Sequence, residues 1–267
     1  MSQDEILQRL VIMSRRLGDP AHDYVILGEG NTSARSDADT FWVKASGTEL
    51  RTIGASGFVR VRFDGVLDLL SKERLTDGAV KAALEKAKMD HGVQARPSVE
   101  TVLHAVVLQL EGVNFVGHTH PTAVNAVTCA AAFEAAAGGR LFPDEIVVCG
   151  PAAVVVPYTD PGLPLARAVM GRIAEYVEQW GEAPKTILMQ NHGLIALGSS
   201  AQQVENITAM AVKAARVMLG TYSAGGPHFL TPGDVDRIHT RPDERYRRER
   251  LGSEGQSEAN GDTDPGN

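Results

Sequence analysis

Two histidines separated by one residue, His118 and His120 in GHTHPTAV (117–124), pose the first chemical question in this sequence. The apolar pair Phe115-Val116 precedes them, so the segment reads as a strand, and residues two apart on a strand point to one face. Two parallel imidazoles suit a polar strand face or half of a metal site. A third histidine, His192, stands between the apolar run TILMQ and Gly193, and Glu100 follows Pro97-Ser98 where a helix begins. Each has a plain structural reading: an exposed pair, a strand cap, a carboxylate drawn to a helix dipole. Together they meet the demands of a catalytic metal. Three imidazoles leave coordination positions open for substrate, and a carboxylate outside the ligand set can move a proton.

The elements that must position these residues follow from periodicity. Residues 4–17 read as an amphipathic helix with Ile6, Leu10, Met13 and Leu17 on one face. A turn-rich stretch, LGEGNTSARSDAD, leads to a strand in FWVKASG, and FVRVRF (58–63) alternates as another. Helices are predicted over 76–90 and from Ser98, as N-cap, to Leu110, the second burying Val99, Leu103, Val106, Val107 and Leu110. After the strand FVGHTH comes a helix over 122–137, then two strands, IVVC and AVVVPY. A helix over 164–180, strands TILMQ and GLIAL, and an alanine-rich helix over 201–219 complete the pattern.

Strands and helices interleave without a composition break, which predicts one α/β domain over 1–225. A charged helical segment over 226–250 and a disordered tail over 251–267 follow. With 267 residues, 43% hydrophobic and 22% charged, the chain can bury a full core. A net charge of −7 offers no broad basic field for nucleic acid or an anionic membrane, so an anionic substrate needs a local pocket of donors. Cys129 and Cys149 lack C-x-x-C spacing and suggest two small buried side chains in a reducing compartment, with one disulfide as the alternative. The charged, helix-periodic N-terminus and the lack of a long apolar run place the protein in the cytoplasm.

The ordered set GEGNTS, KASG, PSVE, HTHP and QNHGLIALG resembles the class II aldolase/adducin family over roughly residues 5–220. That family holds fuculose- and rhamnulose-phosphate aldolases, ribulose-phosphate 4-epimerases, a dehydratase, decarboxylases and the non-catalytic adducin head. SVETVLHA followed by GHTHPTAVNA is similar to the aldolase part of bifunctional rhamnulose-phosphate aldolase/dehydrogenase proteins. The resemblance implies a three-layer α/β/α sandwich with a central, mainly antiparallel sheet, assembled as a cyclic homotetramer. It implies a metal-dependent aldolase that cleaves a ketose 1-phosphate or related hydroxycarbonyl compound through a metal-stabilised enediolate. A 4-epimerase, dehydratase or decarboxylase at the same site, and an adducin-like scaffold, are the alternatives.

Residue by residue, His118, His120 and His192 resemble the ligands of a Zn²⁺ ion, with Mn²⁺, Fe²⁺ or Co²⁺ as substitutes. Glu100 resembles the catalytic acid/base. Asn31, Ser46, Gly47 and Ser98 resemble the residues that hold the substrate's phosphate, and glycine turns and a helix start do present free N–H donors. Turn chemistry alone also explains GEGNTS and ASG. Gly28 and Val99 stand where fuculose-phosphate aldolases carry hydroxyl residues, so Lys44, Thr32 or Thr48 would have to compensate. His104, four residues after Glu100, either orients that carboxylate or is a core histidine bonded to backbone. Tyr246 either reaches a neighbouring subunit's site or lies on a solvated face. His22, His91, His228 and His239 have no motif around them.

Overall fold

A computed structural model of the chain describes residues 1–73 and 75–243. Tyr246 and the tail lie outside the described residues. Seven strands form one sheet: β1 (Asn31–Arg35), β2 (Thr40–Lys44), β3 (Phe58–Arg62), β4 (Phe115–Thr119), β5 (Val154–Val156), β6 (Thr186–Met189) and β7 (Gly193–Gly198). Their order is β3-β2-β1-β4-β7-β6-β5, with every described pairing antiparallel except β5 with β6. The helices are α1 (Gln3–Leu17), α2 (Phe63–Leu67), α3 (Asp77–Lys86), α4 (Thr101–Leu108) and α5 (Thr122–Thr128). Further along come α6 (Phe133–Ala137), α7 (Pro143–Cys149), α8 (Leu163–Trp180), α9 (Ala201–Thr221) and α10 (Pro232–Thr240).

The sheet is covered on both faces, so the expected α/β/α sandwich is what forms. On β7 the side chains alternate between two cores. Ile195 and Leu197 join Val102, Val107 and Val169 of α4 and α8, while Leu194 and Ala196 join Leu10, Met13, Val204 and Ile207 of α1 and α9. All six β7 positions are buried, as a strand covered on both faces requires. Helix α1 starts on a capping box in which Ser2 and Glu5 satisfy each other's backbone N–H groups.

Four expectations about secondary structure change, and one about burial. IVVC belongs to helix α7, because Pro143 occupies its first turn with Asp144 and Glu145, and Gly150 (φ 79°) ends it. These start and stop signals outweigh the β propensity of the Ile-Val-Val run. The helix expected over 122–137 breaks into α5 and α6. NTSAR, read as turn, is the interior strand β1, paired with β2 and β4. Helix α4 starts at Thr101 rather than Ser98, whose carbonyl accepts from Thr101 N at 3.1 Å within a preceding turn. Val99 is consequently 42% exposed and leaves the expected stripe. Cys149 is buried as expected, whereas Cys129 is exposed, and both are free. No described helix is long and apolar enough to cross a membrane.

Candidate active site

The start of β1, the end of β4 and the start of β7 meet at one end of the sheet's interior strands, Asn31 lying opposite His118 and Leu194 opposite Thr119. His118, on β4, is fully buried, and its Nδ1 lies 3.0 Å from the Leu194 carbonyl. That acceptor fixes the proton on Nδ1 and turns Nε2 toward the centre. His120 lies just past the strand, its backbone N donating to the Tyr24 carbonyl at 2.9 Å and its Nε2 3.0 Å from His118 Nε2. His192 sits in the β6–β7 turn behind Asn191, which adopts a left-handed φ of 53°. Gly193 follows by necessity. A Cβ there would fall 2.6 Å from the Thr119 carbonyl and 2.7 Å from the His120 ring. Gly30 is equally constrained, with φ 71° and a virtual Cβ 2.7 Å from the His118 carbonyl.

The three rings converge, with centroids 4.7, 4.9 and 5.2 Å apart and one nitrogen from each within 4.8 Å of the others. Burial pushes His118 and His120 down to about 4, so both are neutral near pH 7, the form that binds metals. Three convergent imidazoles, one already oriented by a carbonyl, fit a divalent ion of the zinc type and leave room for further ligands.

Glu100 is 8% exposed at the N-cap position of α4, where its side chain makes no capping hydrogen bond. Its Oε1 is 3.3 Å from His192 Nε2 and its Oε2 3.7 Å from His118 Nε2. Burial raises its pKa, but His118, His192 and His104 outweigh this and hold it well below the usual carboxylate range. The carboxylate is therefore ionised beside the imidazole cluster.

The expected phosphate set divides. Asn31 donates its side-chain amide to Glu100 Oε2. Ser46 and Gly47 are exposed beyond β2, and Ser46 N donates to the Arg96 carbonyl at 2.9 Å, which brings this turn beside Pro97-Ser98. The Ser98 hydroxyl lies 3.3 Å from Glu100 N. The buried Lys44 ammonium donates to the Gly28 carbonyl at 3.2 Å, and Thr48 bonds the Ala45 carbonyl at 2.8 Å. Thr32 is a correction. It faces the opposite side of β1, where its hydroxyl meets Ser14 Oγ at 2.7 Å with no exposure, so it cannot touch a substrate here. His104 departs from both of its readings: its Nδ1 is 2.7 Å from Ser33 Oγ, and its buried Nε2 has no hydrogen-bond partner. Neither Ser33 nor Glu29 was singled out from the sequence, although both sit within or beside GEGNTS.

A cleft leads away from His120 between Asp23, Ile26, Glu29, Thr122 and Asn125. A separate apolar cavity lies between α5, α7, α9 and β6, lined by Val127, Leu188, Ala215 and Met218. Its charged residues, Arg140 and Glu145, pair with each other at 3.1 Å, and Arg140 also bonds the Cys149 and Gly150 carbonyls. Of these two hollows, the first reaches the histidine cluster, through His120.

A family model described as the Class II Aldolase and Adducin N-terminal domain matches residues 8–219, and the chain belongs to that family. Among curated proteins it is 28% identical over 183 residues to the "Uncharacterized oxidoreductase YuxG" of Bacillus subtilis (strain 168). The match takes in 66% of this chain but spans only 24% of that relative's length. The N-terminal class II aldolase domain of a conserved protein from Thermoplasma acidophilum aligns with a TM-score of 0.62 and 28% identity, covering 80% of this chain and 93% of that one. An L-fuculose 1-phosphate aldolase aligns with a TM-score of 0.67 at 18% identity, covering 92% and 98%, a likeness of fold.

Proposed function

We propose that the chain is a metal-dependent class II aldolase that cleaves a ketose 1-phosphate or a related hydroxycarbonyl compound. The observation that carries this reading is the buried Glu100 carboxylate within 3.3 Å of His192 and 3.7 Å of His118, in a cluster whose third histidine, His120, lines a cleft. His118, His120 and His192 would hold the ion, which is Zn²⁺ on the strength of three imidazole donors. When bound, the ion supplies Lewis-acid polarisation of the substrate's carbonyl and adjacent hydroxyl oxygens. Glu100 carries the proton to and from the carbon at which the bond breaks, and Asn31 fixes its orientation. Lys44, Ser46, Gly47 and Ser98 form the donor wall for an anionic end of the substrate. On the other side, Asp23, Glu29 and Asn125 line the cleft with acceptor-bearing side chains, which favours an uncharged, hydroxylated end there.

The same site serves the alternative reading, epimerase, dehydratase or decarboxylase. The word oxidoreductase belongs to a protein of which this chain covers 24% and is not carried over. Family resemblance further supports a cytoplasmic homotetramer whose active sites lie at subunit interfaces, which light scattering tests directly. The functional test is a retro-aldol assay over ketose 1-phosphates and their unphosphorylated forms with Zn²⁺-loaded protein. Release of an aldehyde fragment from a member of that panel supports the aldolase. Turnover without carbon–carbon cleavage favours the alternative chemistry, and no turnover with metal bound returns the scaffold reading.

A further inference from the structure

The loop between Tyr24 and Gly30 is fastened to His120. The Tyr24 carbonyl accepts from His120 N at 2.9 Å, and Glu29 closes a turn with Ile26 through two bonds. Glu29 N donates to the Ile26 carbonyl at 3.1 Å, and Ile26 N donates to Glu29 Oε2 at 3.0 Å. This turn forces Leu27 to a left-handed φ of 51° and leaves Ile26 and Leu27 62% and 77% exposed. The outward apolar pair and the strained residue sit beside an inward carboxylate. Its second oxygen, Oε1, stands 3.9 Å from His120 Nδ1. Nδ1 is the nitrogen that His120 turns away from the cluster, since Nε2 lies 3.0 Å from His118 Nε2.

His118 shows the same division of labour, with Nδ1 on the Leu194 carbonyl and Nε2 inward. We infer that Glu29 is the positioning residue of His120: its carboxylate, 3.9 Å from Nδ1 and short of a direct hydrogen bond, biases that nitrogen by its charge as the Leu194 carbonyl does for His118 by a 3.0 Å bond. It would hold the tautomer that bares Nε2 and raise the basicity of that nitrogen toward a divalent ion. This role rests on the metal reading above. It differs from turn closure, because closure uses Oε2 and metal support uses Oε1.

Glu29→Gln separates the two roles. The amide oxygen can still accept from Ile26 N, so the turn persists, while the negative charge facing Nδ1 is lost. Zn²⁺ affinity, measured by competition with a chromogenic chelator on the full chain, is expected to fall about 10–100-fold. The melting temperature of the metal-free protein is expected to stay at the parent value, and the absorption bands of the Co²⁺-loaded protein to shift. Glu29→Ala should lose affinity at least as far. Parent-like Zn²⁺ affinity in Glu29→Gln overturns the proposal. So does an affinity loss confined to Glu29→Ala and accompanied by a lower metal-free melting temperature. A parent chain that binds no Zn²⁺ overturns the metal reading itself, a failure distinct from tight binding in which Glu29 plays no part.

Discussion

Asn31 donates its side-chain amide to Glu100, joining the first residue of the interior strand β1 to the carboxylate that precedes α4. A residue whose motif suggests phosphate recognition is thus engaged with the proposed proton carrier. The bond is charge-assisted and almost fully buried, so it fixes which lone pair of the carboxylate faces the histidines.

Asn31→Ala should therefore slow turnover rather than only weaken binding. A lost hydrogen bond to a charged group is worth about 1.5–3 kcal/mol, which corresponds to roughly a 10–100-fold fall in kcat. Metal content should be unchanged. Steady-state kinetics on phosphorylated and unphosphorylated ketoses check this, because a residue that only held phosphate would raise KM for the phosphorylated substrates alone.

Thr32→Val should leave turnover intact. The Thr32 hydroxyl meets Ser14, whose own hydroxyl lies 2.6 Å from the Leu10 carbonyl, so the substitution removes one buried hydrogen bond between β1 and α1. Chemical denaturation should show a loss of about 0.5–1.5 kcal/mol. A change in KM at constant stability would return Thr32 to the substrate wall.

Acid should destabilise the metal-free chain over a defined window. Burial holds His118, His120 and His104 at about 4, below the 6.5 they take when unfolded. Between these values the unfolded chain binds more protons, so this contribution is fully present above about pH 6.5 and is lost as pH falls toward 4. Glu100 acts in the same direction, its stabilisation being present above its unfolded value of 4.5 and lost on further acidification. Melting temperature should drop progressively across pH 6.5 to 4, more steeply with Zn²⁺ because protons compete for the imidazoles. A flat profile across that range would contradict the buried, neutral state of the cluster.

The chemistry was legible in the sequence where apolar periodicity framed it. FVGHTH and TILMQNHGLIAL announce strands by their apolar residues, so the placement of His118, His120 and His192 at strand ends could be read directly. Strand β1 was not legible. Its residues Asn31, Thr32 and Ser33 are polar, yet each is buried with a side-chain partner on a helix or at its start, namely Ser14 and His104 on helices and Glu100 at the start of α4. Those partners are 69, 18 and 71 residues away, so no local pattern reveals that a turn-like tripeptide belongs to an interior strand. Helix α7 was hidden for the opposite reason, since Ile146-Val147-Val148 carries β propensity while its Pro143 start and Gly150 stop decide the outcome. The role of Glu29 was beyond reach because the loop that aims it is fixed by His120, far along the chain.

The most direct test of the account measures metal content and retro-aldol turnover together on Glu100→Gln, with His120→Ala as comparison. If Glu100 carries the proton and the histidines hold the ion, Glu100→Gln keeps about one Zn²⁺ per chain while turnover falls about 10²–10⁴-fold. His120→Ala loses metal and turnover together. Near-parental turnover in Glu100→Gln would contradict the mechanism, and loss of its metal would make Glu100 a ligand instead.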